Sequence, residues 1–153
     1  MRRFALLMLA LLTIGCASSR APQPPPPGRL TLQVSPNPIV AVPLGDDRWQ
    51  FDFDVVVRED GGSDVTIDRV SADVVAFGGL RVASAELDRA ELVKQGYASR
   101  VAAGHDIRYH FSQKHAVPDE HLLDAVKAEV LIEGTDAAGQ QTVARTTVTV
   151  RRK

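Results

Sequence analysis

The chain has 153 residues, 44% of them hydrophobic and 24% charged, with a formal net charge of −1 and a single cysteine. Charge so near neutrality offers no basic excess to neutralise phosphates, so nucleic acid is excluded as an expected partner. The hydrophobic share is that of an ordinary globular domain, and one cysteine cannot form an internal disulfide, which leaves core packing to stabilise the fold.

Residues 1–16 read MRRFALLMLALLTIGC. Arg2 and Arg3 open the stretch, and Phe4 to Ile14 is a run of eleven residues, apolar but for Thr13. A spanning helix needs roughly 18–20 apolar residues, so this length fits the core of a secretory signal instead. Its close, Leu12-Thr13-Ile14-Gly15-Cys16, resembles the lipobox of bacterial lipoproteins. Gly15 matches the small residue that precedes the cysteine, and Thr13 stands where that family favours an aliphatic one. The resemblance implies cleavage before Cys16, a diacylglyceryl group on its sulfur and a palmitate-type chain on its new amine. The lipid bilayer would then be a partner, held through Cys16. Each buried methylene contributes about 0.8 kcal/mol, and two or more chains anchor stably where one is marginal. The alternative is an ordinary signal peptide with a cysteine near its cleavage site, which would leave a free thiol in an exported protein. Ala17 follows the cysteine where inner-membrane lipoproteins often have Asp, so the same resemblance points to the cell envelope and, in a Gram-negative cell, to the outer membrane facing the periplasm. Losing Arg2 and Arg3 with the signal moves the formal charge from −1 to −3.

Ala17 to Arg29 reads ASSRAPQPPPPGR. Its four consecutive prolines, Pro24 to Pro27, exclude helix and sheet and favour an extended polyproline spacer. The expected organisation is a signal peptide over 1–15, the lipidated Cys16 with a Pro-rich linker over 16–29, and one domain over 30–153.

Leu30, Leu32 and Val34 alternate with polar residues, as a half-buried strand does. Ser35-Pro36-Asn37-Pro38 interrupts it, and Ile39 to Leu44 resumes before a turn at Gly45-Asp46-Asp47. In WQFDFDVVV, Trp49, Phe51, Phe53, Val55 and Val57 share one face, the clearest strand signal in the chain. Asp52 and Asp54 share the other face, where an amphipathic strand is solvated. Glu59 to Ser63 reads as a turn cluster, followed by a strand from Asp64 to Phe77 whose apolar parity slips across Asp68-Arg69. That slip predicts a bulge or two short strands.

Gly78-Gly79 marks a turn, and Leu80 to Val82 a short strand. Ala83 to Gln95 is rich in helix formers, with Leu87, Ala90 and Val93 at helical spacing and Gly96 as a stop, so a short helix is expected there. Strands return over Ala98 to Ala102, and again after Ala103-Gly104, where Ile107, Tyr109 and Phe111 alternate inward. Asp119 is placed to cap a helical turn. Ala125 to Gly134 and Gln141 to Arg151 are the last two strands, joined by a hairpin in which Gly139 suits a left-handed position.

Seven to nine short strands with at most one short helix predict an all-β fold, an antiparallel sandwich. GHDIRYHFSQKHAVP and VKAEVLIEGTDAAGQQTVARTTVTV resemble the last three strands of immunoglobulin-like domains in bacterial surface proteins. The chain departs from antibody-type domains in having no cysteine pair, and no tyrosine opens its penultimate strand. A related sandwich or a small barrel fits the same pattern.

No glycine-flanked nucleophile and no phosphate-cradling loop is present, so no catalytic or cofactor-binding residue is assigned. His105, His110, His115 and His121 lie close together in sequence. Their intervals of five, five and six match neither the two of a shared strand face nor the four of a helix face. No metal site is assigned to them, and surface positions are expected. Arg151-Arg152-Lys153 is expected to be a solvated tail. The residues thus favour a lipid-anchored envelope module that binds or scaffolds an envelope protein or cell-wall component without catalysis. The alternative is an accessory enzyme or metal-handling periplasmic protein using the His105–His121 region.

Overall fold

A computed structural model describes residues 25–75, 81–117, 119–124 and 126–153. Cys16, the signal and the Gly78-Gly79 turn lie outside them. The described residues contain nine strands and one α-helix.

One layer is built on β3 (Arg48–Glu59), the strand with the strongest alternation. β1 (Leu30–Ser35) and β2 (Ile39–Gly45) lie end to end along one of its edges, Leu30 opposite Glu59 and Ala41 opposite Phe51. The Pro36–Pro38 interruption separates them, and the peptide bonds before both prolines are cis. Along the other edge of β3 runs β7 (Asp106–Ala116), from Arg58↔Asp106 to Arg48↔Ala116. The second layer orders β9 (Gln141–Arg152), β8 (Lys127–Asp136) and β4 (Val65–Val75). β5 (Arg81–Asp88) and the two-residue β6 (Arg100–Val101) share the remaining edge of β4. Where the layers meet, β2 and β9 pair in parallel from Ile39↔Val150 to Ala41↔Arg152.

In immunoglobulin terms β1/β2, β3 and β7 stand as A, B and E, while β4, β8 and β9 stand as C, F and G, with β5 added beside C. The protein is therefore an antiparallel immunoglobulin-like sandwich, and the stretch expected to supply its last three strands does so.

Period two fills the core from both layers. Trp49, Val55 and Val57 of β3 are buried, as are Ala128, Val130 and Ile132 of β8 and Ala144, Val148 and Val150 of β9. Each large aliphatic side chain buried in this way contributes about 1.5–3 kcal/mol. In β4 the buried set passes from Val65 and Ile67 to Val70 across a bulge between Ile67 and Arg69, so the parity slip is a bulge in one continuous strand.

Two expectations are corrected. The helix expected over Ala83 to Gln95 is confined to α1 (Arg89–Lys94), because residues through Asp88 pair with β4 from Val75↔Arg81 to Arg69↔Asp88. Ladder pairing with a neighbouring strand outweighs the fractions of a kcal/mol that helix propensity offers. Of the three residues at helical spacing, Leu87 falls in β5, and within α1 the buried side chain is Leu92, while Val93 is 58% exposed. The strand expected over Ala98 to Ala102 shrinks to β6.

Candidate functional site

The alternation of β3 does not stop at Val57. It carries Glu59 onto the core face, where its side chain is wholly buried. Oε1 accepts N–H bonds from Arg29 (3.0 Å), Gly61 (2.7 Å) and Gly62 (2.9 Å), and Oε2 accepts from Gly62 and Gly104 (both 3.0 Å). Burial pushes the Glu59 carboxyl up, but the N–H donors of Arg29, Gly104, Gly62 and Gly61 together outweigh it and hold it at about 2. One carboxylate thus ties the chain before β1, the β3–β4 turn and the turn before β7.

Asp136, at the end of β8, is the second buried carboxylate. Oδ2 accepts the Gly28 N–H at 3.0 Å, while Oδ1 accepts from Ala138 and Gln140 within the hairpin. The Gly28 and Gln140 amides lead in holding its carboxyl below the usual range. Asp64 works alongside them, accepting the Ala103 N–H at 2.8 Å and pairing with Arg100. Registers Leu30↔Glu59, Arg58↔Asp106 and Val65↔Asp136 place all of this at one rim of the sandwich.

Nothing in the sequence reading singled out Glu59 or Asp136 beyond their turns. The signal for Glu59 was its place two residues beyond Val57, in phase with five apolar side chains. For Asp136 and Gly28 there was none, since 108 positions separate them.

The residues that the sequence offered for chemistry are spread out. His105 precedes β7, with Nδ1 2.9 Å from the Ala103 carbonyl, and His115 lies ~33 Å further along at about 3.3 Å per residue. His110 points outward beside Arg108 and Ser112, whereas His115 faces the other way and contacts the Phe51 ring at 6.1 Å. His121 sits on the 3-10 helix Glu120–Asp124, where Asp119 accepts its N–H at 2.9 Å as the expected cap. All four histidines are exposed. Among the described residues no three His, Cys, Asp or Glu are grouped to hold a metal.

Asp52 and Asp54 line the outer face of β3. Asp52 accepts from Gln50, and hydrogen bonds from Gln50 and Ser112 lower its carboxyl. Asp54 lies 2.9 Å from Nδ1 of His110 and 3.3 Å from Arg108. Ser112, His110 and Asp54 therefore share one open sheet face, but the Ser112 hydroxyl accepts from Gln50. Among the described residues are shallow hollows of about 330 Å³ over Asp68, Arg69 and Glu133 and of about 430 Å³ over Thr31, Val56 and Arg58. In the first, Arg69 is already paired with Glu86 and Glu133. The C-terminal residues are not a free tail: Arg152 pairs with Glu120 at 3.1 Å, and Lys153 donates its N–H to Ala41 at 3.1 Å.

No protein-family model matches the sequence, and neither does any curated protein. The fold has solved counterparts. The putative ApaA protein from Bordetella pertussis superposes with a TM-score of 0.58 at 14% identity, over 85% of this chain and all of that one. The structural-genomics target SoR45 gives 0.54 at 7% identity, over 80% of this chain and 86% of the other. At these identities the likeness is one of fold alone. The CARDB domain of the PF1109 protein from Pyrococcus furiosus, in complex with di-metal ions, gives a lower TM-score of 0.40 at 11% identity, over 84% of this chain and 90% of that one.

Proposed function

We propose that the protein is an envelope lipoprotein, held at a bilayer through acylated Cys16, whose sandwich binds or scaffolds an envelope protein or cell-wall component without catalysing a reaction. In a Gram-negative cell its place is the outer membrane, facing the periplasm. The observation that carries the reading is the use made of buried charge. Glu59 and Asp136 turn their carboxylates to backbone N–H groups of loops, which supports a part in holding a rim of the sandwich in shape. The lipobox-like close of residues 12–16 supports the anchor. Sheet edges and end loops allow such a domain to bind without catalytic residues.

Crosslinking in intact cells, followed by capture of the tagged full-length protein, tests this. One stoichiometric envelope partner is expected. Recovery of the protein alone, at all crosslinker lengths, would overturn the scaffold reading.

A further inference from the structure

The chain just before β1 has the composition of a spacer, yet it does not behave as one. The Gly28 N–H is held by Asp136 and the Arg29 N–H by Glu59, both at 3.0 Å. Asp60 adds its backbone N–H to the Arg29 carbonyl at 3.0 Å and an exposed ion pair to the guanidinium. The fit is close as well as bonded. A Cβ built on Gly61 would stand 2.2 Å from the Pro27 carbonyl oxygen and 2.6 Å from the Arg29 nitrogen. On Gly62 it would stand 2.9 Å from the Pro26 ring, and on Gly28 it would stand 2.6 Å from Val65. Glycine at these positions lets two backbone segments lie in contact, so the β3–β4 turn acts as a bed for the incoming chain.

We propose that Pro26–Arg29 is a strap, closed onto the rim of the sandwich by Glu59 and Asp136, so that these residues belong to the domain and not to the spacer. The strap lies at the rim of the β3–β4 turn and the β8–β9 hairpin. The β2–β3 turn, the end of β7 and the C-terminal residues lie at the opposite rim. With Cys16 as the anchor, which is the reading above, the strap directs that second rim away from the membrane. The strap itself does not depend on acylation.

Trypsin cleaves after arginine, and the tether carries Arg20 upstream of the strap and Arg29 within it. Full-length protein in detergent should be cut after Arg20 at least roughly tenfold faster than after Arg29, because cleavage follows the population of the opened segment. Gly61→Ala pushes a methyl group into the strap and should bring the Arg29 rate up to that of Arg20. Asp60→Asn removes the exposed ion pair of Arg29 and leaves the backbone clamp, so it should keep the wild-type ratio. Cleavage after Arg145, inside β9, reports whether Gly61→Ala has unfolded the domain; in that event the wild-type ratio alone decides. Equal cutting at Arg20 and Arg29 in the wild type overturns the strap, and so does an unchanged ratio in a folded Gly61→Ala protein. Neither result touches the Cys16 reading, which membrane fractionation tests separately.

Discussion

Glu59 occupies a position where the alternation of β3 asks for an apolar side chain, and it is stable there because its oxygens meet four backbone donors. A buried charge without such partners would cost several kcal/mol. Glu59→Ala strands the N–H groups of Arg29, Gly61, Gly62 and Gly104, and should lower unfolding free energy by about 3 kcal/mol or more in urea titration. Its pH signature follows from the depressed carboxyl. The folded-state value is about 2 against 4.5 for a free glutamate, so the contribution is complete above 4.5 and is lost as pH falls towards 2. Melting temperature should therefore decline over that window in the wild type, with a shallower decline in Glu59→Gln. Identical acid profiles would show that Glu59 does not carry the effect.

Among the elements, α1 shows local chemistry and tertiary pairing dividing one stretch between them. Asp88 accepts the Glu91 N–H at 2.8 Å and Glu91 reaches back to the Asp88 N–H at 3.3 Å, a capping box that starts the helix where β5 ends. Asp88→Ala should cost about 1 kcal/mol, and amide exchange should rise in residues 89–95 while β4 stays protected. Equal exchange in helix and strand would mean that the cap does no local work. The spacing of Asp88 and Glu91 was visible in the sequence, but it lay inside a segment whose composition reads as helix throughout. Pairing along β4 settled the boundary, and a partner strand is not a local property.

For the molecule as a whole, the anchor and the domain make separate predictions. Cys16→Ser should release the protein from membranes or leave its precursor uncleaved, without changing its melting temperature. A processed mutant that still fractionates with membranes would end the lipoprotein reading. Zinc or copper titration should leave the melt unchanged, and a stoichiometric rise abolished by His110→Ala with His115→Ala would favour the metal-handling alternative. Much of the architecture was legible locally: Trp49 to Val57, the slip at Asp68-Arg69 and Ile107 to Phe111 follow from side chains alternating along a strand, and the Gly139 hairpin from a glycine that takes a positive φ. The sequence by itself also determined the absence of an internal disulfide and the short apolar run of residues 4–14, since both are matters of residue count. Only the tertiary structure decided what Glu59, Asp136 and Gly28 do. Their contacts join positions as many as 108 residues apart, and a hydrogen bond between such positions has no periodicity to announce it.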